Sequence, residues 1–213
     1  MAIDFNVFPC GYIQTNAFLL TDPDRGEAVL IDAPHFVLDE IKPVLEEKGC
    51  ALVGLLLTHG HYDHMGGAAS IQNLGVPLWG HEDDKALYED PGRMVPYAYP
   101  PGIKLEPISI DHWVKDGDSF ELMGQKWEVR HTPGHCPGNV FFYLREHSLV
   151  FVGDTLFAGS VGRSDLPGGD GELLKRMIEE RIYTLDDGVV VMPGHGPHTT
   201  VGQERVSNPY VRG

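Results

Sequence analysis

Thr58 to Met65 reads T-H-G-H-Y-D-H-M and sets His59, His61, Asp63 and His64 within six positions. Imidazole nitrogens and carboxylate oxygens suit divalent zinc, manganese or iron, and no thiolate is needed. The apolar run Leu52-Val53-Gly54-Leu55-Leu56-Leu57 directly before the motif has the pattern of a buried strand. A strand ending in His59 sends His59 and His61 to one side, because side chains alternate with period two. The chain then turns, and Asp63 and His64 open a helix of small residues, Gly66-Gly67-Ala68-Ala69. One strand-to-helix turn thereby supplies two pairs of ligands.

Three further ligand-type residues sit in turns marked by glycine or proline, each after an apolar strand. His135 lies in Thr132-Pro133-Gly134-His135, Asp154 in Gly153-Asp154-Thr155, and His195 in Pro193-Gly194-His195-Gly196. The neighbouring glycines permit close backbone approach at the rim of a sheet core. A single strand-end histidine is more often structural; repetition of the same device is the argument for one site. His35, His81, His112, His131, His147 and His198 have no partner spacing and read as structural or surface residues.

The elements that must position these residues follow from periodicity. Strands are predicted at 3–8, 17–21, 28–31, 52–57 and 76–79, then at 119–122, 126–131, 140–144, 149–152 and 189–192. Helices are predicted at 36–48, closed by Gly49, at 68–74, closed by Gly75, at 172–180, and briefly at 200–205. The Pro- and Tyr-rich stretch from Asp90 to Asp111 reads as an irregular loop, either plain surface or a wall over the site. Two β-rich halves with helices outside predict an α/β sandwich of two facing sheets. No linker or internal repeat divides residues 1–213, which read as one domain.

Bulk properties exclude several functions. The formal charge of −15 argues against a nucleic-acid partner, which needs a basic footprint, and against anionic membranes. No run of 18 or more apolar residues exists to span a bilayer. Cys10, Cys50 and Cys136 are an odd number without framework spacing, and Met1-Ala2-Ile3-Asp4-Phe5 lacks a leader's basic and apolar regions. A soluble cytoplasmic protein is the expectation.

The segments T-H-G-H-Y-D-H (58–64), T-P-G-H-C-P-G (132–138), G-D-T-L-F-A-G-S-V-G-R-S-D (153–165) and P-G-H-G-P-H-T (193–199) together resemble the metallo-β-lactamase superfamily. Within it the likeness is nearest to the glyoxalase II-like hydrolases. The resemblance implies a four-layer αββα sandwich of two mixed sheets flanked by helices. It also implies that His59, His61 and His135 hold one metal, that Asp63, His64 and His195 hold a second, and that Asp154 bridges them. The implied cofactors are two divalent ions, zinc first, then iron or manganese. Two ions carry +4 against −3 from Asp63, Asp154 and a shared hydroxide, a balance of about +1, and such a pair lowers the pKa of water from 15.7 toward about 7. One ion would also polarise a substrate carbonyl.

A thioester suits this equipment, because a thiolate leaves without a strong general acid. The implied substrate is a small-molecule thioester, S-lactoylglutathione foremost. Arg163 stands where glyoxalase II enzymes carry a basic residue that helps hold the glutathione moiety; an ion pair with Asp165 is the alternative. Two-domain relatives carry tyrosine at the Asp165 position and a helical C-terminal domain, whereas this chain ends at Gly213 and resembles the compact single-domain branch. Cys136 stands where related enzymes usually have Thr or Ser and reads as packing or supporting a ligand; Thr15 and Asn16 border the site.

Two other readings remain. A persulfide dioxygenase of the same fold would use His59, His135 and Asp154 for one Fe(II). Such enzymes typically show Phe-Gln after the Asp165 position and His-Asp-Tyr at the last histidine. Leu166-Pro167 and His195-Gly196-Pro197 stand here instead and favour the hydrolase. A non-catalytic metal-binding relative is disfavoured because all seven ligand positions are filled. A β-lactamase is disfavoured without an export signal.

Overall fold

A strand that is apolar at every position needs two buried faces, and the strands on either side of the ligand motif meet that condition. The computed structural model describes residues 3–213; Met1 and Ala2, part of the stretch read for a leader, lie outside it. One six-stranded sheet has the order β1 (Asp4–Cys10), β2 (Thr15–Asp22), β3 (Glu27–Ile31), β4 (Ala51–Leu56), β5 (Leu78–His81) and β6 (His112–Val114). Its first two pairings are antiparallel and the remaining three parallel, so the sheet is mixed. The second sheet runs β14 (Thr199–Thr200), β13 (Val190–Pro193), β10 (Leu149–Gly153), β9 (Val140–Leu144), β8 (Gln125–His131) and β7 (Ser119–Leu122). It too is mixed, with β10 and β13 parallel. A short ribbon, β11 (Leu156–Phe157) with β12 (Ser160–Val161), stands apart.

Alternation along the strands sorts the core into layers. Phe18, Leu20, Val29, Ile31 and Leu56 of the first sheet face Trp127, Val129, Phe142 and Phe151 of the second. Ala17, Leu19, Leu30 and Leu55 point the other way, against α1 (Val37–Lys48) and α3 (Ala68–Gln72). Phe141, Tyr143, Val150 and Val152 turn outward from the second sheet onto α5 (Gly171–Met177) and α6 (Val201–Ser207). The result is the αββα sandwich that the sequence predicted. No described helix is long and apolar enough to cross a membrane.

Several boundaries differ from the sequence reading for physical reasons. The helix predicted to run from Asp63 through Ala69 is two short helices, α2 (Tyr62–Met65) and α3, broken at Gly66-Gly67. The Gly67 N–H bonds the Ala33 carbonyl at 2.7 Å instead of continuing the helix, and a Cβ there would lie 2.5 Å from the Pro34 oxygen. β4 ends at Leu56, so His59 stands in a turn beyond the ladder and not on the strand. A helix α4 (Lys85–Glu89) and a 3-10 stretch over Pro91–Tyr97 occupy the region around the predicted loop. α5 ends at Met177 and continues as a π-helical turn to Ile182. β6, β11, β12 and β14, each two or three residues long, are too short to leave a period in the sequence.

Phe151 is fully buried where the sheets meet, its ring 5.2 Å from Phe18, 6.2 Å from Phe5 and 6.1 Å from Trp127. Phe151→Ala is expected to cost about 3–5 kcal/mol, read as a lower urea midpoint at unchanged slope. A loss under about 1 kcal/mol would show that the inter-sheet layer is not the main core.

Candidate metal centre

All seven ligand-type residues singled out in the sequence meet at one rim of the sandwich, each in the turn, or in the short helix α2, that follows a strand end. His59, His61, Asp63 and His64 follow β4, His135 follows β8, Asp154 follows β10 and His195 follows β13. Three triplets have ligand atoms within 4.8 Å of one another: His59, His61 and His135; His59, His64 and Asp154; Asp63, His64 and His195. Asp154 lies between the sets, its Oδ1 3.2 Å from His64 Nε2 and its Oδ2 3.6 Å from His135 Nε2 and 3.5 Å from His195 Nε2. Asp63 Oδ2 is 3.4 Å from His64 Nε2 and 3.2 Å from His195 Nε2.

The surrounding hydrogen bonds dictate which imidazole nitrogen faces inward. Asp32 is fully buried beneath the cluster; its Oδ1 accepts the Thr58 N–H at 2.8 Å and its Oδ2 accepts the Thr58 hydroxyl at 2.8 Å and His64 Nδ1–H at 2.7 Å. With its own proton given to Asp32, the Thr58 oxygen accepts from His59 Nδ1 at 3.1 Å. His135 Nδ1–H donates to the Arg163 carbonyl at 2.7 Å. Each proton is thus placed on Nδ1, which leaves Nε2 bare and turned toward the cluster. Asp63 accepts the Thr15 hydroxyl at 2.8 Å, and Asn16 ties β2 to the His195 loop by donating to the Pro193 and Gly196 carbonyls, both at 2.9 Å.

This arrangement leaves four buried atoms without a hydrogen-bond partner: His59 Nε2, His64 Nε2, His135 Nε2 and Asp154 Oδ1. A stranded buried polar group costs about 1–3 kcal/mol, so four stranded atoms converging on one space fit cations held between them. The charge states fit as well. Burial, reinforced by neighbouring imidazoles, holds His59 well below its ordinary value and His61 down at about 3, so both lone pairs are free at neutral pH. Burial alone would raise the Asp63 and Asp154 carboxyls, but His64, His195 and their neighbours outweigh it, and Asp154 falls to about 2. Burial alone would lower His64 and His195; the facing carboxylates raise both, so without a cation these two rings draw a second proton that a metal ion there would displace.

A cavity of about 340 Å³ opens over this cluster, walled by Ile13, Tyr62, Met94, Tyr97, Phe157 and Leu166. Arg163 lines it too, but its guanidinium forms a two-pronged pair with Asp165 at 2.8 and 2.7 Å, the alternative foreseen in the sequence. Its carbonyl, not its charge, touches the ligand set. Met94 and Tyr97 bring the 3-10 stretch over the site, so part of the predicted loop is indeed a wall.

The remaining histidines stand apart. His198 is exposed, His112 stacks on Trp79, His147 meets Gln125, and His35 meets the Lys104 carbonyl. His81 and His131 do have a partner, each other: their rings stack at 4.1 Å and 15° with Asp83 beside them. Both nitrogens that face Asp83 are already used: His81 Nδ1 accepts the Asp83 N–H at 3.2 Å, and His131 Nε2 bonds the Pro137 carbonyl at 2.7 Å. Asp32 was the residue missed by motif spacing, although it follows the apolar strand β3 just as Asp154 follows β10. Asp32→Ala is expected to strand the Thr58 and His64 donors, at about 1–3 kcal/mol each, in chemical denaturation of metal-free protein. An unchanged stability would remove Asp32 from this role.

The metallo-β-lactamase superfamily pattern matches residues 10–198. The hydroxyacylglutathione hydrolase GloC of Haemophilus influenzae is 37% identical over 213 residues, 98% of each chain. The mitochondrial persulfide dioxygenase ETHE1 of Bos taurus is 31% identical over 92% of this chain and 70% of its own length. Among solved structures, the BLEG-1 B3 metallo-β-lactamase superposes with a TM-score of 0.89 at 34% identity, covering 99% of this chain and all of its own. TTHA1623, in a di-iron-bound form, gives 0.84 at 36% identity over 97% of this chain and all of its own. With its strand-end histidines and aspartates gathered at the rim of two facing mixed sheets, this chain belongs to the metallo-β-lactamase superfamily.

Proposed function

We propose that the protein is a binuclear metal-dependent hydrolase of thioesters, with S-lactoylglutathione as the leading substrate. His59, His61 and His135 would hold one divalent ion, Asp63, His64 and His195 the other, and Asp154 would touch both. The observation that carries this reading is the gathering of His59, His61 and His135 in one triplet and Asp63, His64 and His195 in another, with Asp154 between them and the Nε2 atoms of His59, His64 and His135 buried without a partner. Divalent ions there, most simply zinc or iron, would bring water toward deprotonation near neutral pH and polarise a thioester carbonyl. The similarity to GloC and to the di-iron-bound TTHA1623 supports both the reaction and the metal count.

The chain's own residues do the positioning. Asp63, steadied by the Thr15 hydroxyl, and Asp154 offer carboxylate acceptors on the floor of the cavity and orient a water between the two histidine sets. Ile13, Met94, Tyr97 and Phe157 screen that floor from bulk solvent, which strengthens every polar interaction made there. Among the described residues lining the cavity none is serine or cysteine, so attack by water, without an acyl-enzyme, is the route the lining supports. The thiolate leaving group needs no proton donor. Arg163 is placed to lend charge to a carboxylate of the thiol moiety once its pair with Asp165 opens.

The similarity to persulfide dioxygenase favours a second reading, one iron on His59, His135 and Asp154 with oxygen as co-substrate. Metal quantification and an assay with oxygen excluded separate the two. The hydrolase reading expects roughly two metals per chain and full anaerobic turnover of S-lactoylglutathione. A single iron, with oxygen uptake on glutathione persulfide, would overturn it. Asp154→Ala is expected to lose metal and hydrolysis together, and retained activity would show the ligands to be misassigned.

A further inference from the structure

Asp84 is a carboxylate buried to 1% exposure that makes no ion pair among the described residues. It lies just before α4, at the helix-capping position, where an aspartate ordinarily accepts a backbone N–H of its own helix. Asp84 makes no such cap. Its side chain turns instead into the gap between two ligand loops. Oδ2 accepts the Gly60 N–H at 2.8 Å and the Cys136 thiol at 3.3 Å, and Oδ1 accepts the Gly138 N–H at 2.8 Å. Gly60 separates His59 from His61, and Cys136 and Gly138 follow His135. One carboxylate therefore grips both loops of a single triplet and touches nothing of the other.

Two further features agree. A Cβ at Gly60 would lie 3.2 Å from Asp84 Cβ and 2.9 Å from Leu87 Cβ, and one at Gly138 would overlap the Asp84 carboxyl. Gly138 is thus required by the approach of the carboxylate, and Gly60 by the Leu87 and Asp84 β-carbons beside it, needs distinct from any left-handed turn. The Cys136 thiol is fully buried and directed at Asp84 Oδ2 at 3.3 Å, where it is a donor to the carboxylate. A buried carboxylate without a cation is costly unless its lone pairs are used. Here three donors use them.

We infer that Asp84 is a positioning residue for one metal only, the one held by His59, His61 and His135, and that Cys136 serves it as the third donor. The inference rests on the two-metal reading above. Outer partners of this kind typically contribute 10–100-fold to metal affinity. The Asp63, His64 and His195 set has its own supports, Asp32 and Thr15, and does not depend on Asp84.

The test is zinc titration of metal-free protein in two backgrounds, His195→Ala, which keeps the first triplet, and His61→Ala, which keeps the second. Asp84→Asn is expected to weaken zinc by about 10–100-fold in the first background and to leave the second unchanged. Cys136→Ala should show the same asymmetry on a smaller scale, and Cys136→Ser, which restores a donor, should reverse it. Equal losses in both backgrounds, or none in either, would overturn the inference. Amide hydrogen exchange on the metal-free chain reads the clamp without metal: Asp84→Asn should release Gly60 and Gly138 together, and a change confined to residues 83–89 would refute it. Failure of the unsubstituted protein to bind zinc would count instead against the two-metal reading.

Discussion

Burial of bare imidazole nitrogens beside carboxylates is the constraint around which this molecule is built. The protein supplies no hydrogen-bond partner to His59, His64 or His135 Nε2, nor to Asp154 Oδ1. Cations of the right size and charge would offset the cost of that burial, and binding them requires a fold that gathers the ligands. The sandwich does this by ending strands from both sheets at one rim. β4 belongs to one sheet and β8, β10 and β13 to the other, so each ligand set draws on both sheets and the inter-sheet core fixes the spacing within it.

Between the rigid strands and the ligands lie short loops, and buried carboxylates stabilise them. Asp32 stands at φ +57°, a backbone state uncommon for residues other than glycine. From there it reaches Thr58 and His64 at once, and through Thr58 it sets the His59 tautomer. Asp84 works from the opposite side on the Gly60 and Gly138 amides. Neither carboxylate is placed to touch substrate, yet between them they orient four of the imidazoles. The cavity above is mostly apolar, and its one lining arginine is already paired.

The ligand set and the sandwich were legible in the sequence because both obey simple rules. Apolar strands doubly buried in layers appear as unbroken runs such as Leu149–Val152, and turns that release a ligand carry glycine or proline. Other features left weaker marks. Asp84 sits in the acidic run Glu82-Asp83-Asp84, where nothing local distinguishes the buried member from its exposed neighbours. The break at Gly66-Gly67 depends on Ala33 and Pro34, which are distant in sequence. His81 and His131 meet only because β5 and β8 bring them together across the two sheets. Their partner could not be read from spacing.

Anomalous diffraction from crystals of the metal-loaded protein tests the central claim most directly. Two anomalous peaks roughly 3.5–4 Å apart are expected, one within ligand distance of His59, His61 and His135, the other of Asp63, His64 and His195. Both should lie within reach of the Asp154 carboxylate. A single peak bound by His59, His135 and Asp154, with the remaining ligands turned away, would contradict it.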